Sequence, residues 1–105
     1  MTRFDAGGQL IGALAWAPSS GGTCEFHLDV EPGSQRQGVG RSMVEELEAL
    51  GKEKGWMGLY SFCASDNESA LQFFKALGFR SLLASHFYGE GRHAWFLWKP
   101  IGGPQ

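Results

Sequence analysis

The residues best equipped for chemistry run from Leu28 to Arg41: Leu28-Asp29-Val30-Glu31-Pro32-Gly33-Ser34-Gln35-Arg36-Gln37-Gly38-Val39-Gly40-Arg41. The stretch starts as an apolar strand end, turns at Pro32-Gly33, and becomes a polar, glycine-punctuated loop directly before a strong helical pattern. A junction of this kind presents free backbone N–H groups at a helix N-terminus, where partial positive charge favours an anion, phosphate above all. Gly38 and Gly40 carry no Cβ to keep a phosphate from the backbone. Arg36 and Arg41 can fork onto phosphate oxygens. A plain tight turn is the alternative.

Two well-known phosphate loops do not fit. A P-loop needs a Lys after its last glycine, and Arg41 follows Gly40; a dinucleotide fingerprint needs a third glycine where Met43 stands.

The elements that must position this loop can be read from the pattern. A short strand is expected at Arg3 to Asp5 and another at Leu10 to Trp16, where Gly12, Ala13 and Ala15 suggest close packing on another layer. Thr23 to Val30 alternates, with Cys24, Phe26, Leu28 and Val30 on one face and Glu25, His27 and Asp29 on the other. Val39, Met43, Val44, Leu47 and Leu50 recur at helical spacing and predict a helix from Val39 to Lys54, ended by Gly55. Trp56 to Cys63 reads as a strand, which should run parallel to the one before the helix through a right-handed crossover. Asp66 or Asn67 caps a second helix reaching Leu77, and strands at Ser81 to Tyr88 and His93 to Lys99 form a final hairpin.

With these elements in place, Gln35-Arg36-Gln37-Gly38-Val39-Gly40 resembles the Gln/Arg-x-x-Gly-x-Gly/Ala pyrophosphate loop of the GNAT N-acetyltransferase superfamily, which holds acetyl-coenzyme A. Asn67-Glu68-Ser69-Ala70-Leu71-Gln72-Phe73-Phe74-Lys75-Ala76-Leu77-Gly78-Phe79 resembles the family's N-x-x-A-x-x-F-Y-x-x-x-G-F helix, with Phe74 in place of the usual Tyr. The order of elements also matches, from about Leu10 to the last strand. The resemblance implies an α/β (α+β) fold: a mixed, mostly antiparallel sheet with a central parallel strand pair and helices packed on its faces. Residues 1–101 would form one domain and 102–105 a flexible tail. Family members usually begin with a strand and two helices before the segment placed here at Leu10, and only nine residues precede it. That segment is expected to be missing, and a second subunit is expected to cover the sheet face so exposed, giving a homodimer.

The same resemblance implies an enzyme that moves the acetyl group of acetyl-coenzyme A to a primary amine by direct attack. Leu28, Asp29 and Val30 would line the pantetheine arm, the loop Gln35, Arg36, Gln37, Gly38, Val39, Gly40 and Arg41 would hold the pyrophosphate, Asn67 would bond the arm or cap its helix, and Phe74 would flank the cofactor. An amine nucleophile is mostly protonated at neutral pH, so a base helps. Glu25 is the carboxylate best placed by analogy, and a solvated strand face shared with His27 and Asp29 is the alternative. Many relatives protonate the departing thiolate with the Tyr that is Phe74 here. Tyr60, Tyr88, Ser61 or water would have to serve, or the chain is a non-catalytic acyl-coenzyme A-binding or assembly protein. The acceptor is open among small amines, amino acids, antibiotics and protein N-termini or lysines.

Composition narrows the rest. The chain has 105 residues, 43% hydrophobic and 19% charged, with a net charge of −2, which suits one ordinary globular core and argues against a broad nucleic-acid surface. The aromatic Trp95, Phe96 and Trp98 are therefore expected in core or interface. No apolar run approaches the roughly 20 residues that span a membrane, and Met1 to Asp5 is too polar for a signal peptide. His27, His86 and His93 lack zinc-ligand spacing, and no metal is expected. Cys24 and Cys63 are read as buried, reduced thiols of a cytoplasmic protein.

Overall fold

The apolar stripe of Val39, Met43, Val44 and Leu47 does form one face of a helix, α1 (Val39–Lys54), with Met43, Val44 and Leu47 fully buried. The computed structural model describes residues 1–35 and 37–102. Three strands precede α1: β1 (Thr2–Phe4), β2 (Leu10–Pro18) and β3 (Thr23–Val30), followed by a 3₁₀ turn at Pro32–Ser34. After it come β4 (Gly58–Ala64), α2 (Glu68–Ala76), β5 (Arg80–Ala84) and β6 (Ala94–Pro100). They build one six-stranded sheet in the order β1-β2-β3-β4-β6-β5. Only β3 and β4 run parallel; the other neighbours are antiparallel. The sheet is therefore mixed, with the parallel pair at its centre, as expected.

Both described helices lie on one face. A Cβ added to Gly12 of β2 would meet Met43 Cε at 2.8 Å, so β2 and α1 approach as closely as a glycine permits. Ala13 and Ala15, expected in that contact too, alternate onto the other face, and Ala15 is exposed. Phe26 of β3 is completely buried against Phe74 of α2 and Phe79. Arg3 of β1 pairs with Glu46 of α1, and Lys99 of β6 reaches Glu48 at 2.8 Å, so both flanks of the sheet are tied to the helix by charge.

The opposite face carries no helix among the described residues. Strand registers put Glu25, His27, Tyr60, Phe62, Phe96 and Trp98 on it together. Phe87, from the loop after β5, stacks on Phe62 at 4.3 Å. With one layer of helices on one layer of sheet, the molecule measures 40 × 39 × 21 Å, and its radius of gyration is 14.2 Å. A compact chain of this length would have about 13 Å.

Strand β5 ends at Ala84, four residues before the predicted Tyr88. The missing length is a tight loop held by two imidazoles. His93 Nδ1 accepts the His86 amide at 2.9 Å, and His86 Nδ1 accepts the Gly91 amide at 2.8 Å, with His86 at φ 58°. Gly103, Pro104 and Gln105, most of the predicted flexible tail, lie outside the described residues, as does Arg36.

Candidate active site

Strands β3 and β4 pair over three positions, Thr23↔Gly58, Cys24↔Leu59 and Glu25↔Tyr60, and then separate. Five more residues of β3 and four of β4 run on without a partner across the gap. The direction of the free backbone groups follows from two bonds. Glu31 N–H donates to Ile11 of β2 at 2.9 Å, which turns odd-numbered residues of β3 toward β2. The Phe26 carbonyl accepts from the Ser61 hydroxyl of β4 at 2.7 Å, which turns even-numbered residues toward the gap. By strand periodicity Leu28 therefore offers both its backbone groups, and Val30 its amide, to an occupant of the gap. Asp29 faces β2 with its backbone and the bare face with its side chain, so among the three predicted lining residues it is the one turned away.

The chain after Val30 folds back to bring a helix end beside this edge. Pro32–Ser34 is one 3₁₀ turn, and Gln35 returns its amide to the Val30 carbonyl at 3.3 Å. Gln37 likewise bonds the Gly33 carbonyl at 3.4 Å. Both glutamines thus brace the loop with their side chains. Gly38 is the N-cap of α1, with φ +81°, a conformation that glycine adopts without strain. Among the described residues no side chain caps this helix, and no acidic residue stands in its first turn. Its first bond runs from Ser42 N–H to Gly38 C=O at 2.9 Å, so the helix itself leaves the amides of Val39, Gly40 and Arg41 unclaimed.

The two glycines have different reasons. A Cβ on Gly38 would meet nothing within 4 Å, so that side of the helix end is open. A Cβ on Gly40 would lie 3.1 Å from Phe73 Cζ and 3.3 Å from Leu28 Cδ2. Gly40 thus lets α2 and β3 close on the first turn of α1, which is packing rather than access for a ligand. Arg41 is exposed beside them.

Asn67 caps α2 by accepting the Ala70 amide at 3.1 Å. Phe74 is 6% exposed and packs among Phe26, Phe73 and Phe79. Its neighbour Phe73 is the ring that lies against the start of α1, its Cζ 3.1 Å from where a Gly40 Cβ would stand. Helical periodicity alone assigns both rings to the core; only the distant approach of Gly40 separates them.

On the bare face Glu25 and His27 stand 3.8 Å apart, with Tyr60 across from Glu25 on β4. Tyr60 packs edge-on against Phe62, Tyr88 lies exposed in the loop after β5, and Ser61 has its hydroxyl committed to Phe26. Burial pushes the Cys24 thiol above its ordinary 9.0, a backbone bond with Ala17 opposing and the Glu25 carboxylate adding to it; burial alone does the same to Cys63. Both thiols are free and protonated at neutral pH, unsuited to nucleophilic attack. Among the described residues no group of three or more His, Cys, Asp or Glu is placed to hold a metal ion, and no helix is long and apolar enough to cross a membrane.

A mixed sheet that opens between its one parallel pair, with an uncapped helix start at the opening, defines the class. The chain belongs to the acetyltransferase (GNAT) family, whose model matches residues 3–79. It is 32% identical over 80 residues to the protein named Probable N-acetyltransferase 14 of Danio rerio, a match covering 72% of this chain and 28% of that one. In fold it is similar to the ribosomal-protein-S18-alanine N-acetyltransferase of Escherichia coli, at a TM-score of 0.80 and 20% identity over 96% of this chain and 68% of that structure. It is similar also to YncA of Salmonella typhimurium, solved with its cofactor acetyl-CoA, at a TM-score of 0.80 and 18% identity over 96% and 64%. The chain thus spans about two-thirds of these solved structures and little more than a quarter of the zebrafish relative.

Proposed function

We propose that this chain binds acetyl-coenzyme A in the gap between β3 and β4 and passes the acetyl group to a primary amine. The observation that carries this is the uncapped start of α1 beside the unpaired edge of β3. The amides of Val39, Gly40 and Arg41 suit the pyrophosphate, with Gly38 leaving room and Arg36 and Arg41 adding charge. Leu28 and Val30 would pair with the pantetheine arm as an added strand does, Phe73 flanking it at the helix end and Phe74 below. Asn67 serves as cap.

The chemistry needs a neutral amine. Its nitrogen attacks the thioester carbonyl, the C–S bond breaks, and the nitrogen's surplus proton passes to a base and from there through water to the departing thiolate. Glu25 is the proposed base, standing on β3, the strand that leads to the gap. Replacing it as Glu25→Gln is expected to lower turnover by about a hundredfold with cofactor affinity unchanged. Thiolate is a fair leaving group, so water suffices in place of the hydroxyl that Phe74 lacks. A second reading, an acyl-coenzyme A binder without turnover, draws on that same Phe74. Thiol release in an amine screen separates the two.

The binding claim is tested by isothermal titration with acetyl-coenzyme A, coenzyme A and dephospho-coenzyme A. Micromolar affinity, about −8 kcal/mol, is expected for the first two, and absence of heat with all three overturns the site. The bare aromatic face we assign to a homodimer contact in a cytoplasmic setting, in keeping with two free thiols. Light scattering is expected to return twice the chain mass; a monomer at working concentration removes the dimer.

A further inference from the structure

The β3–β4 ladder stops at Glu25↔Tyr60, although both strands continue well beyond it. In a continued parallel ladder the Phe26 carbonyl would accept a backbone amide of β4. It accepts the Ser61 hydroxyl instead, at 2.7 Å, and Ser61 is only 3% exposed. A buried carbonyl needs one partner. By supplying it from a side chain, Ser61 removes the demand that would draw the next turn of β4 backbone against β3. The residue stands at the last point where the strands touch, and no other side-chain bond crosses this gap among the described residues.

We infer that Ser61 is a positioning residue for the cofactor gap: its hydroxyl ends the β3–β4 ladder at Phe26 and so keeps the backbone groups of Leu28 and the amide of Val30 free for the pantetheine arm. The inference rests on the binding site proposed above. It also excludes Ser61 as the proton donor to the departing thiolate, since its one proton is engaged with Phe26. Packing of the Phe26 ring against Phe74 and Phe79 holds β3 in place but bonds none of its carbonyls, so it does not do the same work.

The test uses the full chain as Ser61→Ala, with Ser61→Thr as the variant that keeps the hydroxyl. Amide exchange by NMR is read first, without any ligand. In Ser61→Ala, protection of the Leu28 and Val30 amides is expected to rise about tenfold, the scale of one net hydrogen bond, as β4 closes on β3. Exchange that is unchanged or faster overturns the inference, because a hydroxyl that merely satisfied a stray carbonyl would give that result. Titration follows, with acetyl-coenzyme A and with 3′-phosphoadenosine 5′-diphosphate, the nucleotide end alone. Ser61→Ala should lose about tenfold for acetyl-coenzyme A, keep its affinity for the nucleotide, and be restored by Ser61→Thr. Equal loss for both ligands overturns the inference, since the loop would then be disturbed as well. A wild-type chain that binds neither ligand overturns the binding site, while the exchange result still decides what Ser61 does to the ladder.

Discussion

Helix α2 starts on Asn67, whose side chain accepts the Ala70 amide, with Glu68 adding a carboxylate to the first turn. Helix α1 starts on Gly38, with neither a capping side chain nor an acid. An N-cap is worth about 1 kcal/mol, so the longer helix forgoes a stabilisation that the shorter one takes. The difference marks one helix start as closed by its own side chain and the other as open. The C-terminus of α1 does not share the omission: Gly55 closes it with a left-handed turn, and Lys52 and Lys54 oppose its dipole.

The largest effect should come from making the two starts alike. Gly38→Asp places a carboxylate where the pyrophosphate would lie, in a residue type that tolerates left-handed backbone. Acetyl-coenzyme A affinity should fall about a hundredfold, roughly 2.7 kcal/mol, while the melting temperature holds because an acid suits a helix N-terminus. Full affinity in that variant would mean that the open start of α1 is architecture. Asn67→Ala tests the other side. It should cost about 1 kcal/mol of stability, roughly 4–8 °C in Tm for a domain of this size, with cofactor affinity held within twofold. A tenfold loss of affinity would instead make Asn67 a ligand contact and break the contrast.

The smallest effect concerns the core that both helices share. Cys24 and Cys63 have thiols raised above 9.0 by burial. A group with a raised folded value stabilises the fold while protonated, fully so below pH 9.0, and that contribution is lost as pH rises through the folded value. The thiols' contribution to the urea midpoint should therefore be constant below about pH 9 and fall above it. Wild type and Asn67→Ala should fall in parallel, because neither helix start carries the thiols.

Much of this was legible in advance because it is local. The alternation from Thr23 to Val30 and the stripe from Val39 to Lys54 match the observed elements to the residue, since burial period and the Gly55 stop both lie within the segment. The Asn67 cap needs only a residue three positions on. What escaped depends on distant partners. Ser61 finds Phe26 across 35 positions of chain, so nothing near it announces the bond. Phe73 and Phe74 are adjacent apolar residues, and only the approach of Gly40 tells which lies against the start of α1. Gln35 reads as a phosphate ligand in a polar loop, yet its amide is drawn back to Val30. The strand predicted to reach Tyr88 stops at Ala84 because ring nitrogens of His86 and His93 take up amides that a ladder would have used.

The 21 Å thickness has a further consequence. One layer of helices on one sheet leaves a single core layer between them. Leu47 and Phe26, both fully buried, stand in that one layer, so trimming either is expected to be felt by the helices and the sheet at once.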